Sequence, residues 1–399
     1  MSSTETVVQT VVLNLETSDR KNNKIQKCID EYQSMSKYMS DAIVSVDQNE
    51  WSTMNPAFYR MLNKEFEERY VSSGVALESI EDVIGGYKSW VSNGKIGEKP
   101  VFGNSNYVRC KAKAITIEKN DRSYGIKFNI VPYKPEWFRV NGNTYCHKYL
   151  EKVVNGKASV GTCEIHKEGK SLNAHLVVKW EVESRDDDEY EQSVGVDIGE
   201  NVIYSLSVLD EKGVQQVEMK NGAKFRHYRE RLKQKRKEMM AKDDLRGVKE
   251  CSGEHDRYTQ QVLDTASREI IDVAKEYSSP KICLENLTNY RKTADNPIHD
   301  WPYALFQEKI IYKAKEYGIP VETVNPRNTS KTCRACGHTH SSNRSGIDFE
   351  CKSCGYQVHA DVNASMNIAL RGSRFERDEY ENVSEDSGVS GVQESLLSY

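Results

Sequence analysis

Four of the ten cysteines form two tight pairs near the C-terminus, and this feature constrains the fold most. The pairs are Cys333-x-x-Cys336 and Cys351-x-x-Cys354, separated by fourteen residues, and a glycine follows each pair. Each C-x-x-C turn lets two thiolates face one ion, and four thiolates suit one tetrahedral Zn²⁺ in a closed structural site. The spacing therefore predicts a zinc ribbon with a slightly short central loop. Three nearby histidines are alternative zinc ligands: His338, His340 and His359. Because four cysteines already complete the site, we expect these histidines to lie at the surface.

The rest of the composition is that of a globular protein of the cytoplasm. No apolar run approaches the roughly 18 residues that a membrane-spanning helix needs. The first residues, Met1–Thr6, are polar and lack the basic-then-apolar layout of a secretory signal. The sequence thus predicts a cytoplasmic location and no membrane partner. It leaves the oligomeric state open, with a monomer favoured.

The net charge of −4 is unevenly distributed. The segment Ser373–Tyr399 carries seven acidic and two basic residues, which leaves a charge of +1 for the rest of the chain. A second run, Arg185–Glu191, holds five acidic residues against one basic residue. Both segments are predicted to be solvated linker or tail, which concentrates positive charge elsewhere.

The N-terminal half changes its pattern twice. Thr6–Leu15 is β-branched and apolar, which predicts a strand. Lys24–Val44 carries apolar residues at helical spacing, and helical patterning continues to about Ser92. Short alternating runs from about Val101 to Val182 predict an all-β module, in the form of a small barrel. The first strand is expected to pair with this module, which makes the helical block an insertion.

The C-terminal half has an α/β pattern, in which strands alternate with amphipathic helices. The predicted strands are Val194–Ile198, Ile203–Leu209, Lys281–Leu284 and Pro320–Val324. The predicted helices are Lys224–Lys249, Asp256–Tyr277, Tyr303–Tyr317 and Asp361–Leu370.

Three carboxylates stand at ends of these elements. Asp197 lies near the end of a strand, Glu285 ends another, and Asp361 begins a helix. Each has an ordinary alternative role, as a hairpin-turn residue, an exposed strand terminus or a helix N-cap. Together they could converge at one edge of an α/β sheet, as in RNase H-like nucleases. Hydrolysis with two divalent ions needs several carboxylates around metals roughly 3.5–4 Å apart, and Mg²⁺ prefers oxygen ligands.

The blocks around these residues carry a family resemblance. VGVDIG, ICLENL, NPRNTSKTCRACGH, FECKSCGY and HADVNASMNIA resemble the blocks of the TnpB family, transposon-encoded RuvC-like nucleases that are related to compact type V CRISPR effectors. The ribbon lies between the second and third carboxylate blocks, as in that family. The resemblance is close over Ser193–Arg371, and before that it concerns only the order of helical and β-rich segments.

The resemblance implies roles for the residues in these blocks. Asp197, Glu285 and Asp361 would be catalytic and bind two Mg²⁺ ions. The four cysteines would hold one structural Zn²⁺. The implied partners are a guide RNA made from the transposon end and a target DNA.

The resemblance also implies a multidomain α+β fold. An N-terminal, wedge-like β-barrel with a helical recognition insertion would precede an RNase H-like (RuvC) α/β nuclease domain with an inserted zinc ribbon. The expected segments are 1–20 for the first wedge strand, 21–100 for the recognition-like helices, 101–184 for the rest of the wedge-like module, 185–192 for an acidic linker, 193–328 and 358–372 for the two parts of the nuclease, 329–357 for the ribbon, and 373–399 for an acidic, disordered tail.

A basic segment is the expected nucleic-acid contact. Lys224–Lys237 holds eight Lys or Arg residues and one Glu, which suits a phosphate backbone. The alternative is a solvated charged helix, although so few acidic partners would leave it self-repelling. A further arginine, Arg327, is expected near the carboxylates, where it could neutralise developing charge. The candidate contacts are Lys224, Arg226, Arg229, Lys233, Arg236 and Arg327.

The leading functional prediction is a transposon-associated, RNA-guided, Mg²⁺-dependent DNA endonuclease. One alternative is a guided DNA-binding repressor without cleavage, against which the presence of all three carboxylates argues. Another is a transposase or recombinase accessory protein, for which no helix-turn-helix signal is found in the sequence. A compact type V CRISPR effector is the variant closest to the leading prediction.

Overall fold

The computed structural model describes residues 3–51, 53–94, 99–120, 123–142, 144–184, 190–287 and 301–375. The chain divides into two compact units, the N-terminal unit (Thr6–Glu181) and the C-terminal unit (Met1–Glu5 with Val182–Tyr399). Within the described ranges, no helix combines the length and apolar character that crossing a membrane requires.

The N-terminal unit consists of strands that form one sheet and of four helices among the described residues. In chain order these are β1 (Ser3–Leu15), α1 (Asp19–Ile43), α2 (Asn55–Glu65), α3 (Ser73–Ser92), β2 (Tyr107–Cys110), β3 (Ile115–Asn120), β4 (Ser123–Phe128), β5 (Glu136–Asn141), α4 (Thr144–Val154), β6 (Ser159–Glu168) and β7 (Ser171–Ser184). The strands form a seven-stranded sheet in the order β2-β6-β7-β1-β5-β4-β3. The first strand therefore lies inside this sheet, between β7 and β5, as the sequence favoured.

Local sequence explains the main elements of this unit. The Ser18 side chain accepts a hydrogen bond from the Lys21 amide and begins α1. The buried face of α1 includes Ile25, Ile29 and Tyr32, which recur at helical spacing. The helices α1 and α3 pack against each other and against β2.

Two features of this unit differ from expectation. The predicted barrel is not confirmed, since the strand order begins at β2 and ends at β3 without a pairing between them among the described residues. The stretch predicted as all-β also contains α4, whose buried residues Cys146, Tyr149 and Leu150 have helical spacing. A short amphipathic helix of this kind is easily hidden among strands.

The C-terminal unit is an α/β arrangement with a small three-stranded sheet inserted. Its elements are β8 (Gln192–Ile198), β9 (Val202–Asp210), β10 (Gly213–Asn221), α5 (Ala223–Ala241), α6 (Leu245–Lys275), β11 (Pro280–Glu285), α7 (Tyr303–Lys315), β12 (Val321–Val324), β13 (Arg344–Ser345), β14 (Asp348–Glu350), β15 (Gln357–His359) and α8 (Ala360–Arg371). The main sheet has the order β10-β9-β8-β11-β12, and the small sheet has the order β13-β14-β15. In the main sheet, β10, β9 and β8 are antiparallel neighbours, whereas β8, β11 and β12 run parallel.

The two faces of the main sheet have different partners. On one face, large apolar residues of β8 and β9 pack against α6 and α7, with Val196, Leu206, Ile270 and Phe306 in one buried cluster. The other face of β8 and β9 carries small residues and receives α8. Successive side chains of a strand point to opposite faces of the sheet, so large and small residues that alternate along β8 and β9 line different faces.

Two predicted boundaries move. The charged segment predicted as one helix is broken at Lys242–Asp244, where Asp243 has φ 53° and Asp244 caps α6 through the Gly247 amide. The predicted tail begins later than residue 373, because Phe375 is buried against Tyr190 at a ring distance of 6.0 Å. The core of the acidic linker (185–189) and the rest of the tail (376–399) lie outside the described residues.

Candidate active site and zinc ribbon

Two of the three predicted carboxylates meet at one edge of the main sheet. β8 and β11 are parallel neighbours, and their last recorded pair is Leu284 with Val196. Asp197 and Glu285 each follow directly after this pair. Parallel strands end at the same edge, so both carboxylates emerge there.

The third carboxylate comes from α8. The His359 side chain accepts a hydrogen bond from the Asp361 amide at 3.2 Å, which caps the helix and sets Asp361 in its first turn. The helix is fastened to β8 by the Ser193 hydroxyl, which donates to the Ala369 carbonyl at 2.8 Å. Small residues on the strand therefore let the helix bring Asp361 to the same sheet edge.

All three carboxylates line one cleft. Asp197, Glu285 and Asp361 stand together in the wall of a cavity of about 460 Å³. Residues 199–202, Thr329 and Arg344 also line this cavity. The structure thus brings the predicted catalytic set together, although its three motifs are far apart in the sequence.

The electrostatics of the cleft favour a bound cation. Loss of hydration raises the pKa of Asp197 well above its usual value, and the negative charges of Glu285 and Asp361 raise it further. Burial also raises the pKa of Glu285, against a hydrogen bond from Thr329. Crowded carboxylates disfavour one another's ionised form, and a divalent ion removes this conflict. Oxygen donors of this kind fit Mg²⁺.

Arg344 is a site residue that the sequence did not single out. Its Nη2 donates to Asp361 Oδ1 at 2.9 Å, and the side chains of Arg344 and Asp361 are 33% and 17% exposed. In the sequence Arg344 is one of several basic residues of the ribbon. Only its position on β13, within hydrogen-bond distance of Asp361, distinguishes it from the others. Arg327, which was expected beside the carboxylates, is exposed and is not among the residues that line the cleft.

The loop before the ribbon is tied to both the cleft and α8. The Thr329 hydroxyl donates to the Glu285 carboxylate. The Asn367 amide donates to the carbonyls of Thr329 at 2.9 Å and Thr332 at 2.7 Å. Asn363 donates to Thr332 at 2.8 Å and accepts from the Arg334 amide at 3.1 Å. Two buried asparagines of α8 thus satisfy the polar backbone that leads into the ribbon.

The four ribbon cysteines converge as the spacing predicted. Their sulfur atoms all lie within 4.8 Å of one another, with Cys336 and Cys351 at 3.5 Å and Cys333 and Cys354 at 3.7 Å. A glycine with a left-handed backbone conformation follows each C-x-x-C pair and allows the chain to turn there: Gly337 has φ 75° and Gly355 has φ 76°. This set could hold one Zn²⁺ with four thiolates.

The thiols of the ribbon differ in acidity. Burial raises the pKa of Cys333 to about 12. Burial acts in the same direction on Cys351, but hydrogen bonds from the Cys354 and Ser353 amides and from the Cys336 and Cys354 thiols together outweigh it and lower the pKa to about 6. The histidines expected at the surface have separate positions: His340 is exposed, His359 caps α8, and His338 is half-buried with its Nδ1 4.0 Å from the Cys351 sulfur.

The basic helix α5 has an exposed and a packed side. Lys224, Lys233 and Arg236 are exposed, as the expected phosphate contacts require. Arg226 donates instead to the carbonyls of Glu200 and Asn201, in the loop that borders the cleft.

Arg229 contradicts the expectation of an exposed contact. Its side chain is only 3% exposed, and it pairs with Glu200 at 2.6 Å. The reason is helical spacing, because Phe225, Arg229 and Leu232 form the buried stripe of α5. Arg226 and Arg229 therefore position the cleft loop, whereas the other three residues face solvent.

Comparison with known proteins gives one family match and several relatives. The family model Cas12f1-like, TNB domain, matches residues 303–368. The CRISPR-associated endodeoxyribonuclease Cas12f1 of Sulfoacidibacillus thermotolerans is 27% identical over 55% of this chain and 56% of its own length. The chain thus spans about half the length of that relative. The TnpB-like protein MJ0751 of Methanocaldococcus jannaschii is 26% identical over 61% of this chain and 90% of its own length.

A solved structure extends the similarity to the whole fold. The cryo-EM structure of a Cas12f1–sgRNA–target DNA complex has a TM-score of 0.62 and 15% identity, covering 91% of this chain and 99% of that one. At this identity the likeness concerns the fold alone, a mixed α/β multidomain fold of the Cas12f type. The chain is thus similar in sequence to TnpB-like proteins and to Cas12f1 endodeoxyribonucleases, and its fold is similar to that of the Cas12f1 structure.

Proposed function

We propose that this protein is a transposon-associated, RNA-guided DNA endonuclease that hydrolyses phosphodiester bonds of target DNA. The observation that carries the proposal is the convergence of Asp197, Glu285 and Asp361 in one cleft at the edge of the main sheet. Three carboxylates at such a place form the donor set that metal-dependent phosphodiester hydrolysis requires.

The order of the strands supports a RuvC-type nuclease domain. Three antiparallel strands followed by two parallel strands, in the order β10-β9-β8-β11-β12, place the first strand β8 at the centre of the sheet. The carboxylates then come from the central strand, from its parallel neighbour and from the helix that covers β8. This is the arrangement that an RNase H-like fold uses.

The side chains of the cleft have distinct tasks in this proposal. Asp197, Glu285 and Asp361 would hold two Mg²⁺ ions through their oxygens. Bound there, the ions would supply activation of a water molecule and stabilisation of the leaving oxygen. Thr329 orients the carboxylate of Glu285 by its hydrogen bond. Arg344, beside Asp361, would stabilise the charge that develops on the phosphate.

The ribbon has a structural task. The four cysteines would hold one Zn²⁺ and so fix β13, which carries Arg344 at the cleft. Since hydrogen bonds from Asn363 and Asn367 join the same region to α8, the ribbon and the third carboxylate are positioned together.

The proposed partners are a guide RNA from the transposon end and a target DNA. Support comes from the similar fold of the Cas12f1–sgRNA–target DNA complex and from the exposed basic residues of α5. The second candidate is a compact type V CRISPR effector, which the Cas12f1-like domain match favours. The two candidates differ in the origin of the guide, since only the second would take it from a CRISPR array.

The test uses the full chain expressed with its flanking DNA. We expect RNA to co-purify, and its sequence to map to the transposon end. The complex should then cut a matched double-stranded DNA in Mg²⁺, while Asp197→Ala binds the same RNA without cutting. RNA from a CRISPR repeat would select the second candidate. Purified protein without RNA, or cleavage retained by Asp197→Ala, would refute the proposal.

A further inference from the structure

A second group of metal-ligating side chains lies in the N-terminal unit. Glu164 and His166 are on β6, and His175 is on β7. One ligand atom from each residue lies within 4.8 Å of the others. These residues belong neither to the carboxylate cleft nor to the ribbon.

The strand register explains why the three side chains meet. β6 and β7 are antiparallel, and Glu164 stands directly opposite His175. His166 is two residues along from Glu164, so it projects from the same face of the sheet. His166 Nε2 is 3.0 Å from Glu164 Oε2, and the rings of His166 and His175 stack at 4.2 Å.

The distances require only a small adjustment to hold an ion. Zinc lies about 2.0–2.2 Å from imidazole nitrogen and carboxylate oxygen, which separates tetrahedral ligand atoms by about 3.4 Å. The distance of 3.0 Å between His166 Nε2 and Glu164 Oε2 would have to widen by about 0.4 Å to reach this value.

One oxygen of the carboxylate is already held from outside. The Arg109 guanidinium donates to Glu164 Oε1, with Nε at 3.1 Å, which leaves Oε2 facing His166. Arg109 also pairs with Asp82 of α3, at 2.5 Å, so its positive charge is balanced on the far side. A ligand carboxylate fixed by an outer hydrogen bond is a regular feature of metal sites.

The site is open enough for an ion to enter. The side chains of His166 and Glu164 are 25% and 28% exposed. Water can therefore complete the coordination of an ion held by three protein ligands.

We propose that Glu164, His166 and His175 form a second zinc site, separate from the ribbon. Two imidazoles and one carboxylate suit Zn²⁺, whereas Mg²⁺ prefers oxygen ligands throughout. The ion joins β6 to β7, and through Glu164, Arg109 and Asp82 it extends this link to α3. The stability of the N-terminal unit then depends on zinc.

The experiment measures the zinc content of the full-length protein. The wild type, the double variant His166→Gln/His175→Gln and the single variant His175→Gln are saturated with Zn²⁺, desalted and analysed for zinc per chain. His227→Ala, which removes an exposed histidine of α5, is the matched control. We expect both site variants to hold one zinc fewer than the wild type, and His227→Ala to hold the same amount as the wild type.

A thermal measurement gives an independent readout. Zinc added to chelator-treated protein should raise the unfolding temperature of the wild type more than that of His175→Gln, a conservative change in a half-buried position. Equal zinc content in the wild type and in folded His175→Gln, together with equal thermal responses, overturns the proposal. The comparison is unaffected by the ribbon and the cleft, since both are the same in all four proteins.

Discussion

Gly195 of β8 and Ser365 of α8 approach so closely that a side chain at position 195 would have to displace the helix. A Cβ there would lie 2.1 Å from the Ser365 carbonyl oxygen and 2.4 Å from the Ala369 amide nitrogen. Because Asp361 stands in the first turn of the same helix, this contact helps to set the position of the third carboxylate relative to Asp197.

We expect Gly195→Ala to lower the free energy of unfolding by about 1–3 kcal/mol or more, since both atoms that it meets are backbone. Cleavage should fall as well, because α8 is displaced. Urea unfolding and a cleavage assay measure the two effects. The control is Gly85→Ala in α3, where no atom lies within 4 Å of the added Cβ. It should be neutral or stabilising by up to about 1 kcal/mol. Equal unfolding curves for the two variants would contradict the close-packing argument.

Arg344→Ala should reduce cleavage by about 10²–10³-fold, the range for removal of one group that stabilises transition-state charge. Arg344→Lys should recover part of the activity, because it restores the charge but not the planar guanidinium. RNA binding and zinc content should stay at the level of the wild type. Lys352→Ala is the matched control, since Lys352 is an exposed ribbon cation that pairs with Glu350. Wild-type cleavage by Arg344→Ala would exclude a role in the reaction.

Asn363→Ala tests whether the attachment of the ribbon to α8 can be weakened without loss of the zinc ion. The change leaves the buried Arg334 amide without its acceptor, which costs about 1–3 kcal/mol. Zinc should be retained, because no thiolate is altered, whereas Cys333→Ser should lose one zinc. Elemental analysis and thermal unfolding measure both. The control Asn325→Ala affects an exposed residue and should leave stability nearly unchanged. Zinc loss from Asn363→Ala would show that attachment and metal binding are not separable.

Residues of α5 should divide into two classes. Replacing Lys224, Lys233 and Arg236 by glutamine should weaken nucleic-acid binding and reduce the salt dependence by about one unit of slope for each lost phosphate contact, without loss of stability. Arg229→Gln should instead lower the free energy of unfolding, by about 1–2 kcal/mol, because its pair with the partly exposed Glu200 is broken. Binding titrations at several salt concentrations test the first class. An unchanged slope in the triple variant would favour a merely solvated helix.

Much of the site could be predicted because its parts are local. The C-x-x-C pairs need only their own turns, so Cys333 and Cys351 were identified from spacing. Asp197 and Glu285 stand at the ends of strands whose apolar alternation is visible in the sequence. No sequence pattern marks Arg344, because its proposed role depends on a tertiary contact between its guanidinium and the Asp361 carboxylate. The burial of Arg229 and Phe375 could not be predicted from the sequence. The net charge of a segment indicates that it is exposed on average, but it does not show which of its side chains pack against other elements.

The sequence by itself indicated the four-cysteine ribbon, the three carboxylate motifs, and the helices and four of the five main-sheet strands of the C-terminal unit, because turns, periodicity and capping act within a few residues. It did not predict β10 or the position of the break between α5 and α6. Only the tertiary structure decided that the carboxylates share one cleft, that Arg344 rather than Arg327 joins them, and that Glu164, His166 and His175 meet in the other unit. Such meetings depend on strand register and on close approaches such as that of Gly195 to Ser365. These arise from the packing of segments that are distant in the chain, and no local pattern records them.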